Sequence, residues 1–450
     1  MTPRELARSD PHLPLAAAAA LLLVGEWRQA EAGLRWPLFE AALFCVAFAL
    51  VWQRREALRL APLLAVTLLF QLAWIAIHVH LGAPGDSDPL IYHRQGTNLL
   101  DGTYPRSEYP VGAVGLFAFE TWIGGGATKT ANALTMVPFH LMTVVAVWLF
   151  RTRWSPWLAA FVALWPLNLF YWEFRFDLVP AACLVVGLLL AQRERWDASA
   201  VALSVGALVK WTPGLAALAL ALWLLRARGA RAASRYALVF LVPLVLAYVP
   251  LIAWRPTEVL HAYTEQGGRG ITGESLPFLP LRLLGLAHPG QYAADPATVP
   301  SWADGAAVAV QLLVLLAILA LAARARDRAG AVALAAIAPV AFLLTNRIFS
   351  PQFLVVAVAA WAAAAALLAE DARQVLAFTA VVAAASVGNA VVYPTLDYAV
   401  TRVPGWLVAS AAALLLGAAV TIWLGFRAVR GGEAPAAFAL AAPALKPEAR

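Results

Sequence analysis

Residues 303–323 read ADGAAVAVQLLVLLAILALAA, a run in which Asp304 is the only charged side chain. Because an α-helix rises 1.5 Å per residue, about 20 apolar residues cross the roughly 30 Å hydrocarbon core of a bilayer. Residues 131–150 and 404–426 are two further runs of this length without Asp, Glu, Lys or Arg. These three runs predict a protein that crosses the membrane several times.

The composition of the whole chain supports the same class. Hydrophobic residues make up 62% of the 450 positions and charged residues 13%, whereas soluble domains have about 45–50% and about 25%. The net charge of +7 is not the mark of a nucleic-acid-binding protein, because the basic residues form short clusters between apolar runs. Such clusters are typical of membrane topology.

The apolar runs and basic clusters predict an all-α polytopic membrane protein with about fourteen (twelve to fourteen) transmembrane helices. The predicted spans are 13–27, 37–52, 61–80, 131–150, 156–171, 178–191, 197–209, 213–225, 236–254, 303–323, 330–345, 352–369, 374–393 and 404–426. Both termini then lie on one side together with most of the 33 Lys and Arg residues. Because positive loops stay in the cytoplasm, we expect a multi-pass plasma-membrane protein with both termini cytoplasmic.

Domain organisation follows from this topology. Residues 1–430 form one membrane-embedded domain, and residues 431–450, rich in Ala and Pro, are predicted to be a disordered cytoplasmic tail. Residues 198–225 are predicted to turn as a short hairpin near Lys210, because one continuous helix would place four arginines outside. The short first run could instead be a signal peptide cleaved near Ala32.

Two long loops, residues 82–130 (the first loop) and residues 255–302 (the late loop), fall on the outer side. The first contains apolar patches such as Val114–Phe119, which predict interfacial helices lying on the membrane surface. The inner loops are short and basic. Since loops carry sites and helices hold the loops in place, we expect the chemistry on the outer face.

The first outer loop opens with two acidic side chains, Asp86 and Asp88. A carboxylate just beyond a membrane helix lies where a lipid-linked substrate presents its head group, and it can take a proton from an attacking hydroxyl. The structural alternative is that Asp88 caps a helix that starts at Pro89 and stops before Gly102. An Asp-x-Asp pair can also hold a metal for nucleotide-sugars, but those substrates are cytoplasmic and this loop is not, so no metal is expected.

Two lone cations, Lys210 and Arg347, are embedded in apolar sequence at outer helix ends. A charge left at a helix centre costs about 2.5–3.5 kcal/mol, so a retained one usually has a partner or a function. These cations are candidates to bind a leaving phosphate. The alternatives are that Lys210 extends to the surface and that Arg347 pairs with a carboxylate such as Asp177.

Other outer residues are weaker candidates, each with a structural alternative. His93 and Arg94 could contact a donor phosphate or be solvated loop charges, and Asp177, in a cluster with Glu173 and Arg175, could cap its helix. The late-loop residues His261, Glu265 and Arg269 could bind an acceptor or belong to a flexible loop. Trp165 and Trp172 could stack on a sugar or lie in the interfacial aromatic belt.

Three segments, in order along the chain, together resemble the GT-C glycosyltransferases, in particular glycosyltransferase family 87, the bacterial polyprenol-phosphate-mannose-dependent mannosyltransferases. The first runs from Asp88 and Tyr92 through Gly102-x-Tyr104-Pro105 to Tyr109-Pro110. The second joins Phe176-Asp177-Leu178-Val179-Pro180 to Gly206-Ala207-Leu208-Val209-Lys210-Trp211-Thr212-Pro213, and the third is Asn346-Arg347-Ile348-Phe349-Ser350-Pro351-Gln352-Phe353. The chain departs from the family pattern at Val111 and Phe353, where proline and tyrosine are frequent.

The resemblance implies an inverting, metal-independent and cofactor-free transfer in which the first-loop Asp is the general base. The donor would be a hexose, mannose in the first place, on a polyprenyl-phosphate carrier, and the acceptor a lipid-linked or cell-envelope glycan. The residues expected at the site are catalytic Asp88 or Asp86 and substrate-binding Tyr92, His93, Arg94, Arg175, Asp177, Lys210, Arg347 and Gln352.

Two other functions compete with this one. A secondary transporter would have charges in the middle of helices and paired broken helices in its two halves. A glycan ligase or polymerase would depend on the late-loop residues His261 and Arg269 and would tolerate loss of the first-loop Asp.

Overall fold

The structure is a computed structural model that describes residues 10–27, 35–81, 88–126, 128–164, 175–290, 294–392 and 405–430. Several predicted features lie outside the described residues. They are Asp86, Glu173, Trp165, Trp172, the cleavage position near Ala32 and the tail 431–450.

The described residues form eighteen α-helices and no β-strand. The helices are α1 (His12–Trp27), α2 (Arg35–Gln53), α3 (Leu60–Leu81), α4 (Asp88–Leu100), α5 (Val111–Gly124), α6 (Thr128–Trp148), α7 (Ser155–Ala163), α8 (Leu178–Gln192), α9 (Trp196–Val209), α10 (Pro213–Arg228), α11 (Ala230–Trp254), α12 (Pro256–Gly268), α13 (Phe278–Leu283), α14 (Ala303–Ala323), α15 (Arg328–Thr345), α16 (Phe353–Leu368), α17 (Ala372–Ala390) and α18 (Trp406–Arg430). The predicted all-helical class is confirmed.

Each of the fourteen predicted spans overlaps one of these helices, and α4, α5, α12 and α13 lie in the two long loops. Among the described residues, six helices are long and apolar enough to cross a membrane. They are α3, α6, α11, α14, α15 and α18. Several others are apolar but shorter, so a membrane protein is supported while the count of fourteen crossings stays a prediction.

Helix α11 shows most directly why this fold needs lipid around it. Of its 25 residues only Tyr236 is buried in the protein, although the helix is strongly apolar. By contrast, the short α16 is buried along its whole length and is rich in alanine. Small side chains let neighbouring helices approach closely, so α16 forms the centre of the bundle and α11 its lipid-facing surface.

Helices α9 and α10 run antiparallel. Glu194, just before α9, forms an ion pair of 2.6 Å with Arg228 at the far end of α10. The chain between them turns at Lys210, whose backbone is extended, before Pro213 opens α10. The structure therefore agrees with the predicted hairpin rather than with one broken helix.

The predicted inner-side basic clusters share one end of the bundle, which we call the basic end. Arg193 donates a 2.8 Å hydrogen bond to the Leu149 carbonyl, and Glu194 pairs with both Arg228 and Arg328. The clusters around Arg55 and Arg151 line one small cavity there. The opposite end, where α4, α8, α10 and α16 begin, we call the site end.

Candidate functional site

A cavity of about 500 Å³ opens at the site end. Its wall is built from parts of the chain that are far apart in sequence: the start of α4, the segment before α8, the turn between α9 and α10, the late loop and the segment between α15 and α16. Its charged lining residues are Asp88, Glu108, Arg175, Lys210, Arg269, Glu274 and Arg347. The three residues that the sequence singled out most strongly, Asp88, Lys210 and Arg347, thus face one cavity.

Asp88 is the first residue of α4, and its carboxylate is held from two sides. Arg175 Nη1 lies 2.8 Å from Asp88 Oδ2, and the Tyr92 hydroxyl donates a 3.3 Å hydrogen bond to the same oxygen. Tyr92 can reach because residues four apart lie on the same face of a helix. The Asp88 side chain keeps 23% exposure, whereas that of Arg175 has 3%, so the acid reaches the cavity while the arginine supports it from behind.

Four aromatic rings form the wall behind this pair. Tyr92 stacks on Phe117 with centroids 4.3 Å apart, and Tyr109 and Phe176 meet both rings edge-on. Offset and edge-to-face contacts of this kind add about 0.5–1.5 kcal/mol per pair beyond burial. The cluster joins α4 and α5 to the segment before α8 and fixes the position of Asp88.

Gln352 extends the support from the first loop to α16. Arg175 Nε donates a 3.1 Å hydrogen bond to Gln352 Oε1, which also accepts a 2.8 Å bond from Ser350. Arg175 therefore connects Asp88 with the start of α16 through one guanidinium group. The fixed fork of donors on arginine suits this bridging role, which lysine could not fill in the same way.

Lys210 does not extend to the surface. Its Nζ lies 2.5 Å from Asp177 Oδ1, and its side chain is 16% exposed. The ammonium group also lies 4.5 Å from the centroid of the Phe353 ring, a cation–π contact. The surface-extension alternative for Lys210 is therefore wrong.

Asp177 precedes α8 but makes no capping hydrogen bond with its side chain. It is fully buried, and its Oδ2 has no hydrogen-bond partner among the described residues. Asp177 nevertheless stands at the N-cap of α8, where a negative charge is favoured, and it also pairs with Lys210. Asp177 lies behind Lys210 and is not part of the cavity wall.

Arg347 pairs with residues of the late loop and α14 instead of with Asp177. Its Nη2 donates a 2.6 Å hydrogen bond to the Gly267 carbonyl, and its Nη1 lies 3.8 Å from Asp304 Oδ1. The alternative that Arg347 pairs with a carboxylate is confirmed, but the partner is Asp304 and not Asp177, which pairs with Lys210. The longer ion pair leaves the Arg347 guanidinium at the cavity wall.

The other sequence candidates are placed differently. Tyr92 is buried behind Asp88, whereas His93 and Arg94 are not part of the cavity wall. Successive helical residues are rotated by about 100°, so the face that carries Asp88 and Tyr92 excludes the next two positions. Arg94 is exposed.

The late loop reaches the cavity through Arg269. Arg269 lies 3.4 Å from Glu108, which belongs to the first loop. His261 pairs with Glu265 at 3.9 Å and accepts a bond from Arg106, away from the cavity wall. The two long loops therefore meet at the same site.

Two wall residues, Glu108 and Glu274, were not among the sequence candidates. Glu108 stands beside the Tyr109-Pro110 motif, and Glu274 is the single charge in the run ITGESLPFLPL. An isolated charge in an apolar run was the available signal for Glu274, as it was for Lys210. Among the described residues, no group of three His, Cys, Asp or Glu side chains lies close enough to hold a metal ion.

Comparison of the chain with protein-family models, with curated proteins and with solved structures gives no match. The class that the structure supports is thus an all-helical membrane protein with a charged cavity at one end of its bundle.

Proposed function

We propose that this chain is a membrane glycosyltransferase that moves a hexose, mannose in the first place, from a polyprenyl-phosphate carrier to a lipid-linked or cell-envelope glycan acceptor. The transfer takes place on the outer face of the membrane and inverts the anomeric centre. The observation that carries the proposal is the meeting of Asp88, Lys210 and Arg347 at one cavity. Residues so distant in sequence rarely meet around a cavity for packing reasons alone.

Asp88 acts as the general base in this mechanism. The acceptor hydroxyl attacks the anomeric carbon on the face opposite the phosphate. As the new C–O bond forms and the bond to the phosphate oxygen breaks, the hydroxyl proton passes to Asp88 and the electron pair leaves with the phosphate. Arg175 and Tyr92 orient the carboxylate, and the ion pair favours the charged form that a base requires.

The cations of the wall supply the charge that a leaving phosphate needs. Each of them already has a carboxylate neighbour, at distances from 2.5 Å for Lys210 to 3.8 Å for Arg347. Because the Arg347 pair is the longest, Arg347 is the cation that exchanges its partner most easily for a phosphate. Lys210, fixed by Asp177, contributes a standing positive charge.

The position of the cavity at the end of the helix bundle suits a carrier whose phosphate lies at the membrane surface and whose chain lies in lipid. In the described residues the cavity's charges stand at helix ends or in loops, and the one clear helix break is at Lys210–Pro213. A secondary transporter would have charges in mid-helix and paired breaks, so this arrangement favours the transferase. A late-loop glycan ligase stays the alternative within the transferases.

The deciding experiment is a product assay in proteoliposomes that contain the purified chain. Polyprenyl-phosphate-linked mannose, glucose and arabinose are each supplied with extracted envelope glycolipids, with and without EDTA. The proposal expects a new glycoside of inverted anomeric configuration that forms equally well in EDTA. Uptake of sugar without covalent product would establish a transporter and overturn the proposal.

A further inference from the structure

Residues 270–278 form a tightly held turn at the cavity wall. Thr272 N donates a 2.9 Å hydrogen bond to the Arg347 carbonyl, and Ile271 N donates a 3.0 Å bond to Asp304 Oδ1. Within the turn, Ser275 N and Oγ both donate to the Thr272 carbonyl. The turn is therefore attached to the same two residues that form the Arg347 ion pair.

Glu274 lies at the centre of this turn and lines the cavity. The residue is only 2% exposed, and its Oε2 has no hydrogen-bond partner among the described residues. A buried polar atom without a partner costs about 1–3 kcal/mol and calls for an explanation. Since the turn is fixed and the side chain borders the cavity, a bound ligand is the partner that would satisfy it.

The protonation state of Glu274 narrows the chemistry of that ligand. Burial raises the pKa of the Glu274 carboxyl to about 8, and the neighbouring Arg269 guanidinium opposes part of that rise. At neutral pH the group is therefore mostly a carboxylic acid, with one O–H donor and acceptor oxygens. A sugar hydroxyl both donates and accepts hydrogen bonds and matches this group.

The in-line geometry of an inverting transfer distinguishes the donor side of the cavity from the acceptor side. The attacking hydroxyl lies beside Asp88, the leaving phosphate lies beside Arg347, and the transferred sugar lies between them. The backbone of the Glu274 turn is bonded to Arg347, so Glu274 belongs to the donor side of the cavity. A charged carboxylate there would repel the phosphate, whereas a neutral acid does not.

We propose that Glu274 hydrogen-bonds a hydroxyl group of the donor sugar and thereby helps to select which sugar is transferred. Glu274 is a specificity residue in this proposal, because it contacts the sugar without taking part in bond making. The inference rests on the proposed glycosyltransferase function.

The test measures the KM for the lipid-linked donor with wild type, Glu274→Ala and Glu274→Gln in proteoliposomes at pH 6.5 and 9. Glu274→Ala is expected to raise the donor KM about tenfold at pH 6.5. Glu274→Gln keeps a neutral donor and acceptor and stays within about threefold of wild type. In the wild type, the donor KM rises as the pH passes about 8, because the O–H donor is lost, and this rise is absent in Glu274→Gln.

A second measurement keeps the inference testable if the alanine variant folds poorly. The KM values of single-deoxy analogues of the accepted donor are measured with wild type and with Glu274→Gln. Because the glutamine occupies the same buried position as the glutamate, the variant is expected to keep its melting temperature. At pH 6.5 both proteins are expected to discriminate against one deoxy analogue by about tenfold. At pH 9 wild type is expected to lose that discrimination and Glu274→Gln to keep it, because only the glutamine still has a hydrogen-bond donor. The control is Glu258→Ala, on the same loop but away from the cavity wall, which leaves the donor KM unchanged.

The outcomes separate the two proposals. If wild type forms no glycoside from any donor, the proposed function fails before Glu274 matters. If wild type is active and Glu274→Ala leaves the donor KM and the preference among deoxy analogues unchanged, or changes only the acceptor KM, the role of Glu274 is overturned.

Discussion

The most deeply buried charge at the site end is Asp177, which is fully buried and 2.5 Å from Lys210. Removing water from two charges is costly, and their attraction offsets this cost only while both partners are present. The Lys210–Asp177 pair therefore stabilises the local fold and also supplies positive charge to the cavity. At the scale of single residues, the site depends on such pairs between distant parts of the chain.

Lys210→Met is expected to lower the free energy of unfolding by about 3–5 kcal/mol, because it leaves Asp177 buried and charged without a partner. The double variant with Asp177→Leu is expected to regain most of this loss. Titration with SDS measures the free energy of unfolding of wild type, the two single variants and the double variant. Arg235→Met is the control, since its ion pair with Asp197 is exposed and such pairs contribute at most about 1 kcal/mol. Additive effects of Lys210→Met and Asp177→Leu would contradict this account.

The sequence predicted some residues of this site but not their partners. Lys210 and Arg347 stood out because a lone charge in apolar sequence is rare, and the structure does bring them to one cavity with Asp88. Their partners were not predictable, because the choice between Asp177 and Asp304 depends on how the helices pack. Glu274 was missed because its neighbours in sequence carry no known motif.

At the scale of elements, α4 determines where Asp88 points. Its end was predictable: Gly102 adopts a positive φ of 77°, and Thr103 N bonds to the Asn98 carbonyl, the bonding of a Schellman stop in which glycine is favoured. Its lateral position depends on Gly96. A Cβ added there would lie 2.3 Å from the Phe117 carbonyl oxygen on α5, so the two helices need a glycine at this point.

Gly96→Ala is expected to push α4 away from α5, with a loss of about 1–3 kcal/mol of stability and a lower transfer rate, since Asp88 is two turns away on the same helix. Gly115→Ala on α5 is the matched control. Its added Cβ meets no atom within 4 Å, and alanine favours a helix over glycine by up to about 1 kcal/mol. Thermal unfolding and the product assay check both variants. A Gly96→Ala protein as stable and active as wild type would show that the close approach is not required.

The element boundaries show where sequence reasoning ends. The length of the apolar runs predicted a helix at each of the fourteen spans. A run that is buried in protein or exposed to lipid must satisfy its backbone N–H and C=O groups within itself, and a helix does this. It did not reveal which helices are fully enclosed, as α16 is, because a helix buried in protein and a helix facing lipid have similar composition. The turn near Lys210 was predicted from the arginines, because one continuous helix would place four of them outside.

At the scale of the whole molecule, the charges are separated between two ends. The predicted inner-side clusters meet at the basic end through Arg193, Arg228 and Arg328, while Asp88 and its cavity lie at the opposite end. Positive charge near helix ends keeps those ends in the cytoplasm. The site end is therefore predicted to face outward, as the proposed function requires.

This orientation is testable by cysteine labelling in intact cells, after replacement of Cys45 and Cys183, the two cysteines of the chain, by alanine. A membrane-impermeant maleimide is expected to label Asp101→Cys, in the first loop, without permeabilisation. It should label Arg326→Cys, at the basic end, only after the membrane is opened. The reverse pattern would place the cavity in the cytoplasm and remove the outer-face chemistry.

The most direct test of the central claim is the single-turnover rate of sugar transfer by Asp88→Asn, with bound donor and acceptor in excess. Loss of a general base is expected to slow the reaction by about 10²–10⁴-fold. The buried Arg175 loses its charged partner but keeps an acceptor oxygen from the asparagine, so thermal unfolding is measured alongside to show that the variant is folded. Asp101→Asn, which changes an exposed acid at the other end of α4, is expected to retain the wild-type rate. A wild-type rate in Asp88→Asn would contradict the account.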